Sequence, residues 1–142
     1  MTNEKANATV MLEIFSAIER RDPQRLAELF HPDVEFSWPA ALPYGGTTRG
    51  FQTEGPTWIG TWAPLQPTEA ERSMEPRVVG LKGDEVVILW RQRGLSPSGE
   101  RFDGPVLALY TVRDGRLARA QMFYFETSAL VEFLSRARGQ AA

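Results

Sequence analysis

The segment that most constrains the fold runs from residue 106 to residue 128, where two β-rich stretches flank Asp114 and Gly115. An Asp-Gly pair between such stretches is the strongest short-range signal of a β-hairpin, because a type I′ turn requires positive φ at both central residues. Ser128 then predicts a helix N-cap, with a short helix over residues 129–137. The segment therefore predicts a hairpin followed by a closing helix.

Alternate residues of the second hairpin strand lie on opposite faces of the predicted sheet. Gln121, Phe123 and Phe125 share one face, while Met122 and Tyr124 share the other. Both faces are largely apolar, so we expect this strand to be covered on both sides. One face would line a cavity, and the other would meet a helix or a partner subunit.

The other elements are predicted from hydrophobic periodicity and turn residues. An amphipathic helix covers residues 10–18, and a second helix begins after Asp22-Pro23, where an N-cap precedes a proline at the first helical position. A short strand at 34–38, a loop at 39–50 and three strands follow, the strands at about 77–81, 85–94 and 101–112. Helices that precede one antiparallel sheet indicate an α+β fold.

Length and composition narrow the possible functions. A chain of 142 residues is expected to form one domain over residues 1–142, ordered from about 5 to 138. A net charge of −2 without a basic tract argues against nucleic-acid binding, and no apolar run is long enough to span a membrane. The absence of cysteine and the single histidine, His31, exclude thiolate and multi-histidine metal sites, so no metal is predicted. The N-terminus lacks signal-peptide features, so a cytoplasmic location is expected.

The element order, with LFHPDVEF at residues 29–36 and LYTVRDGRL at residues 109–117, resembles the nuclear-transport-factor-2-like superfamily. Within it, the chain is most similar to the SnoaL-like polyketide cyclases. The resemblance implies a cone-shaped α+β fold, in which a strongly bent antiparallel sheet wraps around N-terminal helices and encloses a mostly apolar pocket. It also implies a homodimer formed through the outer face of the sheet.

The chain departs from this family at the positions that carry catalytic carboxylates. Trp38, before Pro39, matches the aspartate of ketosteroid isomerases. Phe123, or Gln121 if the register shifts, matches the inward aspartate of SnoaL-type aldol cyclases and limonene-type epoxide hydrolases. Aromatic side chains therefore replace carboxylates in the expected pocket, and aromatic walls suit flat or polyene-like ligands. The predicted substrate-binding residues are Trp38, Trp58, Trp62, Trp90, Phe51, Tyr110, Phe123 and Phe125.

Four polar residues are candidates for catalysis. Asp103 among apolar neighbours could act as a general acid or base, although it could equally arrange a turn before Gly104. Arg91 could hold a carboxylate or enolate oxygen, or it could face solvent or a dimer partner, since the inward face of strand 85–94 stays open. Tyr44 in the glycine-rich loop and Gln121 could polarise a carbonyl oxygen.

These features predict a cofactor-independent cyclase or tailoring enzyme, of isomerase or lyase type, for a hydrophobic polyketide-like intermediate in antibiotic biosynthesis. It would act mainly by positioning the substrate, aided by one polar or acidic group. Two alternatives stay open. One is a non-catalytic protein that binds a small apolar ligand, and the other is an acid–base isomerase, dehydratase or epoxide hydrolase that uses Asp103.

Overall fold

A computed structural model describes residues 3–51 and 64–140 of the chain. Over these residues it contains four helices and six strands. The helices are α1 (Glu4–Glu19), α2 (Pro23–Leu29), α3 (Glu69–Arg72) and α4 (Thr127–Gln140), and the strands are β1 (Phe30–Trp38), β2 (Gly46–Arg49), β3 (Arg77–Lys82), β4 (Glu85–Leu95), β5 (Arg101–Arg113) and β6 (Arg116–Tyr124). None of the described helices is both long and apolar enough to cross a membrane.

The predicted hairpin is present as β5 and β6. Asp114 and Gly115 form its turn with φ of 53° and 73°, the positive values that a type I′ turn needs. The closing helix begins at Thr127, one residue before the predicted cap, which is within the usual uncertainty of helix ends. Asp22 caps α2 as predicted, because its carboxylate accepts the Arg25 backbone N–H at 3.1 Å.

The six strands form one sheet in the order β2-β1-β6-β5-β4-β3. Neighbours pair antiparallel except β1 and β6, which run parallel. Edge strand β2 lies inside the segment predicted as a loop. The sequence does not predict this strand, because its four residues lack the alternation of apolar and polar side chains that indicates a strand. The sheet is bent around α1 and α2, as the α+β prediction requires.

The two faces of the sheet differ sharply. On β4, Val86, Ile88, Trp90 and Gln92 point towards α1 and are buried. We call this side the inner face and the opposite side the outer face. Residues on the inner face of the other strands include Phe36, Trp38, Val106, Ala108, Tyr110, Leu117 and Ala120.

Helix α4 packs against the end of the sheet where β4 passes into β5. Phe133 of α4 is buried and lies against Gly94, where an added Cβ atom would meet its ring at 2.8 Å. Phe102 contacts the Phe133 ring with centroids 5.8 Å apart. A side chain at residue 94 would therefore displace α4, so glycine there allows the helix to cover this end.

Candidate functional site

An enclosed apolar cavity lies between α1 and the inner face. Its volume is about 30 Å3, which is room for about one water molecule. Three methionines, Met11, Met74 and Met122, contribute to its wall. Because methionine is unbranched and adapts to irregular space, this wall can rearrange more easily than one of branched side chains. The other lining residues are Ile14, Phe15, Ile18, Phe30, Phe36, Trp38, Trp90, Tyr110 and Leu117.

Four of the aromatic residues predicted to bind substrate lie in or against this core. Trp38, Trp90 and Tyr110 are buried, and Phe51 packs against the core from its edge. Trp38 stacks on Phe36 with ring centroids 5.3 Å apart. The edges of Trp90 and Tyr110 meet Phe15 of α1, at centroid distances of 5.9 and 6.1 Å. The structure thus brings these predicted residues to one face.

A chain of hydrogen bonds joins three polar side chains beside the aromatic cluster. The hydroxyls of Tyr44 and Tyr124 are 3.0 Å apart, and the Tyr124 hydroxyl donates to Gln92 Oε1 at 3.3 Å. The sequence predicts Tyr44 as a site residue, whereas Tyr124 and Gln92 are not among the predicted site residues.

Burial keeps the tyrosines of this region protonated. It raises the pKa of Tyr44, and the hydrogen bond with Tyr124 opposes only part of that rise. Burial, followed by the neighbouring Tyr44, raises the pKa of Tyr124 well above its ordinary value. Burial also raises the pKa of Tyr110, although the nearby Trp90 acts in the opposite direction. These hydroxyls therefore serve as hydrogen-bond donors near neutral pH and not as bases.

Two buried donors next to this chain have no acceptor in hydrogen-bond geometry among the described residues. They are Nε2 of Gln92 and Nε1 of Trp90, which lie two residues apart on the inner face of β4. The Tyr110 hydroxyl is near Trp90, but the contact does not meet that geometry. A buried donor without an acceptor costs about 1–3 kcal/mol, so this arrangement needs an explanation.

Three residues predicted for the site lie outside the buried core instead. Phe123 and Phe125 are 56% and 77% exposed, and Gln121 shares the outer face with Phe123. The prediction that Phe123 and Gln121 project into the pocket is wrong. The reason is a β-bulge: Thr111 pairs with Arg119 and Val112 with Leu117, so one extra residue of β6 lies between them.

That extra residue is Ala118, and it reverses the alternation of β6. Leu117 is on the inner face, and so are Ala120, Met122 and Tyr124 after the bulge. An unbroken strand would have placed Phe123 on the same side as Leu117. Because of the bulge, Tyr124 and not Phe123 lies on the inner face.

Asp103 and Arg91 also lie on the outer face. Arg91 Nε contacts Asp103 Oδ1 at 2.8 Å, and Arg93 Nε lies 3.4 Å from Asp103 Oδ2. Arg93 pairs directly with Asp103 across β4 and β5, which fixes both side chains outwards. With 47% of its side chain exposed, Asp103 is not enclosed by apolar groups, so its predicted place at the pocket is wrong.

The side chain of Arg91 points away from the core, because the inner face of β4 carries Trp90 and Gln92. This agrees with the alternative that Arg91 faces solvent or a dimer partner. The remaining two predicted residues, Trp58 and Trp62, lie outside the described residues. No group of three or more possible metal ligands occurs in residues 3–51 and 64–140.

Comparison with protein families matches residues 11–120 to the SnoaL-like domain. Because this match covers most of the chain, the protein belongs to the SnoaL-like family. No curated protein matches the sequence.

Solved structures share the fold. A protein of unknown function with a cystatin-like fold from Xanthomonas campestris superimposes with a TM-score of 0.71 at 20% identity, over 90% of this chain and 94% of its own. TerC, co-crystallised with polyporic acid, gives 0.67 at 23% identity, over 89% and 96%. A putative SnoaL-like polyketide cyclase from Jannaschia sp. CCS1 gives 0.61 at 18% identity, over 92% of each chain. The cone-shaped α+β fold implied by the sequence is thereby confirmed.

Proposed function

We propose that this protein is a cofactor-independent cyclase, of isomerase or lyase type, for a hydrophobic polyketide-like intermediate. The observation that carries the proposal is the chain of Tyr44, Tyr124 and Gln92 beside an inner-face aromatic cluster. Membership of the SnoaL-like family supports it. So does the likeness to SalBIII, an epoxide hydrolase/cyclase-like enzyme in pyran ring formation, with a TM-score of 0.62 at 14% identity over 89% of this chain and 96% of its own.

The proposed mechanism is positioning combined with polarisation of one oxygen. Aromatic side chains hold a flexible substrate in a reactive geometry, and such positioning contributes about 7–11 kcal/mol in favourable cases. Protonated tyrosine hydroxyls and the Gln92 amide then stabilise charge that develops on a carbonyl oxygen. The described inner-face residues around the cavity offer no carboxylate as a strong base. This set of groups suits a cycloaddition or conjugate addition better than an aldol reaction.

A substrate is much larger than the 30 Å3 cavity, so binding must open it. The methionines in the wall supply the adaptable side chains for that change. We expect the opening to move Met11, Met74 or Met122 and to leave the β4–β5 pairing intact.

The proposal is tested by turnover. Linear esters of increasing length that carry a conjugated diene and an α,β-unsaturated ketone are incubated with the protein, and products are separated by liquid chromatography with mass spectrometry. Cyclised products, equal in mass to the ester, should form faster than without protein. Tyr124→Phe should slow the reaction about tenfold, the value of one such hydrogen bond in the transition state. Asp103→Asn, on the outer face, is the matched control and should not slow it.

A non-catalytic binding protein is the second candidate. The apolar and aromatic lining of the cavity, without a carboxylate among the described lining residues, favours it. Tight binding of the esters without any acceleration of ring closure would select this function over the cyclase. Acid–base chemistry at Asp103 is not carried forward, because that residue faces outwards.

We further propose a homodimer formed by the outer face. Leu107 and Phe123 are exposed and pair across β5 and β6, which makes a contiguous apolar patch. A twofold interface brings the same patch of both copies together. Light scattering should give twice the chain mass, and Phe123→Asp should give a monomer; a monomeric wild type would contradict the proposal. The cytoplasmic location stays a prediction.

A further inference from the structure

Among the described residues, only the oxygen of the buried Gln92 amide has a hydrogen-bond partner. Its Oε1 accepts from the Tyr124 hydroxyl, but neither N–H of Nε2 meets an acceptor among the described residues. Gln92 is fully buried, so bulk solvent does not reach this nitrogen. Native proteins rarely leave such a group unpaired, so a partner for it is expected.

A second buried donor lies next to it. Trp90 is two residues away on the same row of β4, and its Nε1 also has no acceptor in hydrogen-bond geometry. Both residues contact Tyr124: the Trp90 ring centroid is 6.4 Å from that of Tyr124, and Gln92 meets the Tyr124 hydroxyl. Two residues with a buried N–H donor thus contact the same tyrosine, and one of them, Trp90, also lines the cavity.

The charge around these donors is as informative as the donors themselves. The described residues that line the cavity are apolar or aromatic, and the strand's arginines, Arg91 and Arg93, point to the outer face. An anionic ligand group placed here would lose its hydration without gaining a cation. A neutral carbonyl oxygen, which only accepts hydrogen bonds, matches the site.

We propose that Gln92 Nε2 and Trp90 Nε1 together bind one carbonyl oxygen of an uncharged aromatic or polyene ketone. This inference rests on the proposed function, because it names the chemical class of ligand for the same inner-face site. It also excludes a class: substrates that carry a free carboxylate at the group bound here are rejected, and esters or ketones are accepted.

Three probes of nearly equal shape test the inference by calorimetry: 2-acetylnaphthalene, 2-ethylnaphthalene and 2-naphthoate. The ketone should bind at least about tenfold more tightly than the hydrocarbon, as expected for hydrogen bonds from two neutral donors. The carboxylate should bind at least about a hundredfold more weakly than the ketone. Equal binding of ketone and hydrocarbon, or tight binding of naphthoate, would overturn the inference.

A variant assigns the preference to a residue. Gln92→Met keeps the length of the side chain and removes its donor, so the preference for the ketone over the hydrocarbon should fall, because only the Trp90 donor remains. Gln121→Met is the matched control on the outer face and should keep the tenfold preference. An unchanged preference in Gln92→Met would contradict the assignment.

A measurement on the wild type covers the case in which Gln92→Met fails to fold. In a nitrogen-15 spectrum, the Gln92 side-chain amide protons should shift downfield on adding the ketone and not on adding the hydrocarbon. If both probes bind without that difference, the protein binds apolar ligands as proposed, but Gln92 does not bind the carbonyl oxygen and the inference is wrong. If no probe binds, the proposed function and this inference fail together.

Discussion

The inner and outer faces of β4, β5 and β6 carry different kinds of polar side chain. On the inner face, Trp90, Gln92 and Tyr124 are removed from water and linked by aromatic contact and hydrogen bonds. On the outer face, Arg91 and Asp103 form an ion pair in contact with solvent. The charged residues Arg91 and Asp103, which most suggest catalysis in the sequence, therefore lie on the surface and not in the site. The polar groups of the site are uncharged hydrogen-bond donors that are buried away from water.

The largest expected contrast between the faces is in packing. Phe36→Ala empties a buried position of β1 and should lower the free energy of unfolding by about 3–5 kcal/mol. Phe123→Ala makes the same change on the outer face and should alter the stability of the monomer by at most about 0.5 kcal/mol. Urea unfolding of both variants at low protein concentration measures the contrast. Similar losses in the two variants would erase the distinction between the faces.

Two glycines of the sheet test how closely α4 packs against the end of the sheet that it covers. Gly94→Ala drives a Cβ atom to 2.8 Å from the buried Phe133 ring, so it should destabilise the protein by about 1–3 kcal/mol. Gly80→Ala is the control, because its Cβ atom would meet Val87 at 3.7 Å, an ordinary contact. Thermal unfolding that ranks the two variants in the reverse order would contradict the packing of α4.

The tyrosines offer a test by pH. The three tyrosines of the chain, Tyr44, Tyr110 and Tyr124, all have a pKa raised by burial. Above pH 10 the unfolded chain loses their protons while the folded protein keeps them, so the unfolding free energy falls as pH rises. The slope is about 1.4 kcal/mol per pH unit for each tyrosine.

Absorbance at the tyrosinate band checks this directly. The native protein should show almost no tyrosinate at pH 11, and all three should ionise together on unfolding. Early ionisation of one tyrosine in the native state would place that residue in contact with water and remove it from the inner face. Tyr124→Phe should make the stability less dependent on pH.

The smallest expected effect concerns the ion pair. Asp103→Asn removes an exposed pair with Arg91 and Arg93, so it should cost about 0.2–1 kcal/mol, and less at high salt. Ligand binding should not change. Denaturant unfolding at two salt concentrations, with calorimetry of 2-acetylnaphthalene, tests both points, and a large loss of ligand affinity would return Asp103 to the site.

The elements of the fold could be predicted because local signals agreed. Asp114 and Gly115 predicted the turn, Asp22 the cap of α2, and apolar spacing the helix α1. The faces of β6 could not be predicted, because both carry apolar residues and the bulge at Ala118 has no signal of its own in the sequence. Gln92 was missed for a related reason: its burial depends on the parity of β4, where both faces are again apolar.

The most direct test of the account is a crystal structure with 2-acetylnaphthalene soaked in. We expect density inside an enlarged cavity, with the ketone oxygen within hydrogen-bond distance of Gln92 Nε2 and displaced methionine side chains around the ring. Density confined to the outer face, beside Phe123 or the Arg91–Asp103 pair, with the cavity still closed, would contradict it.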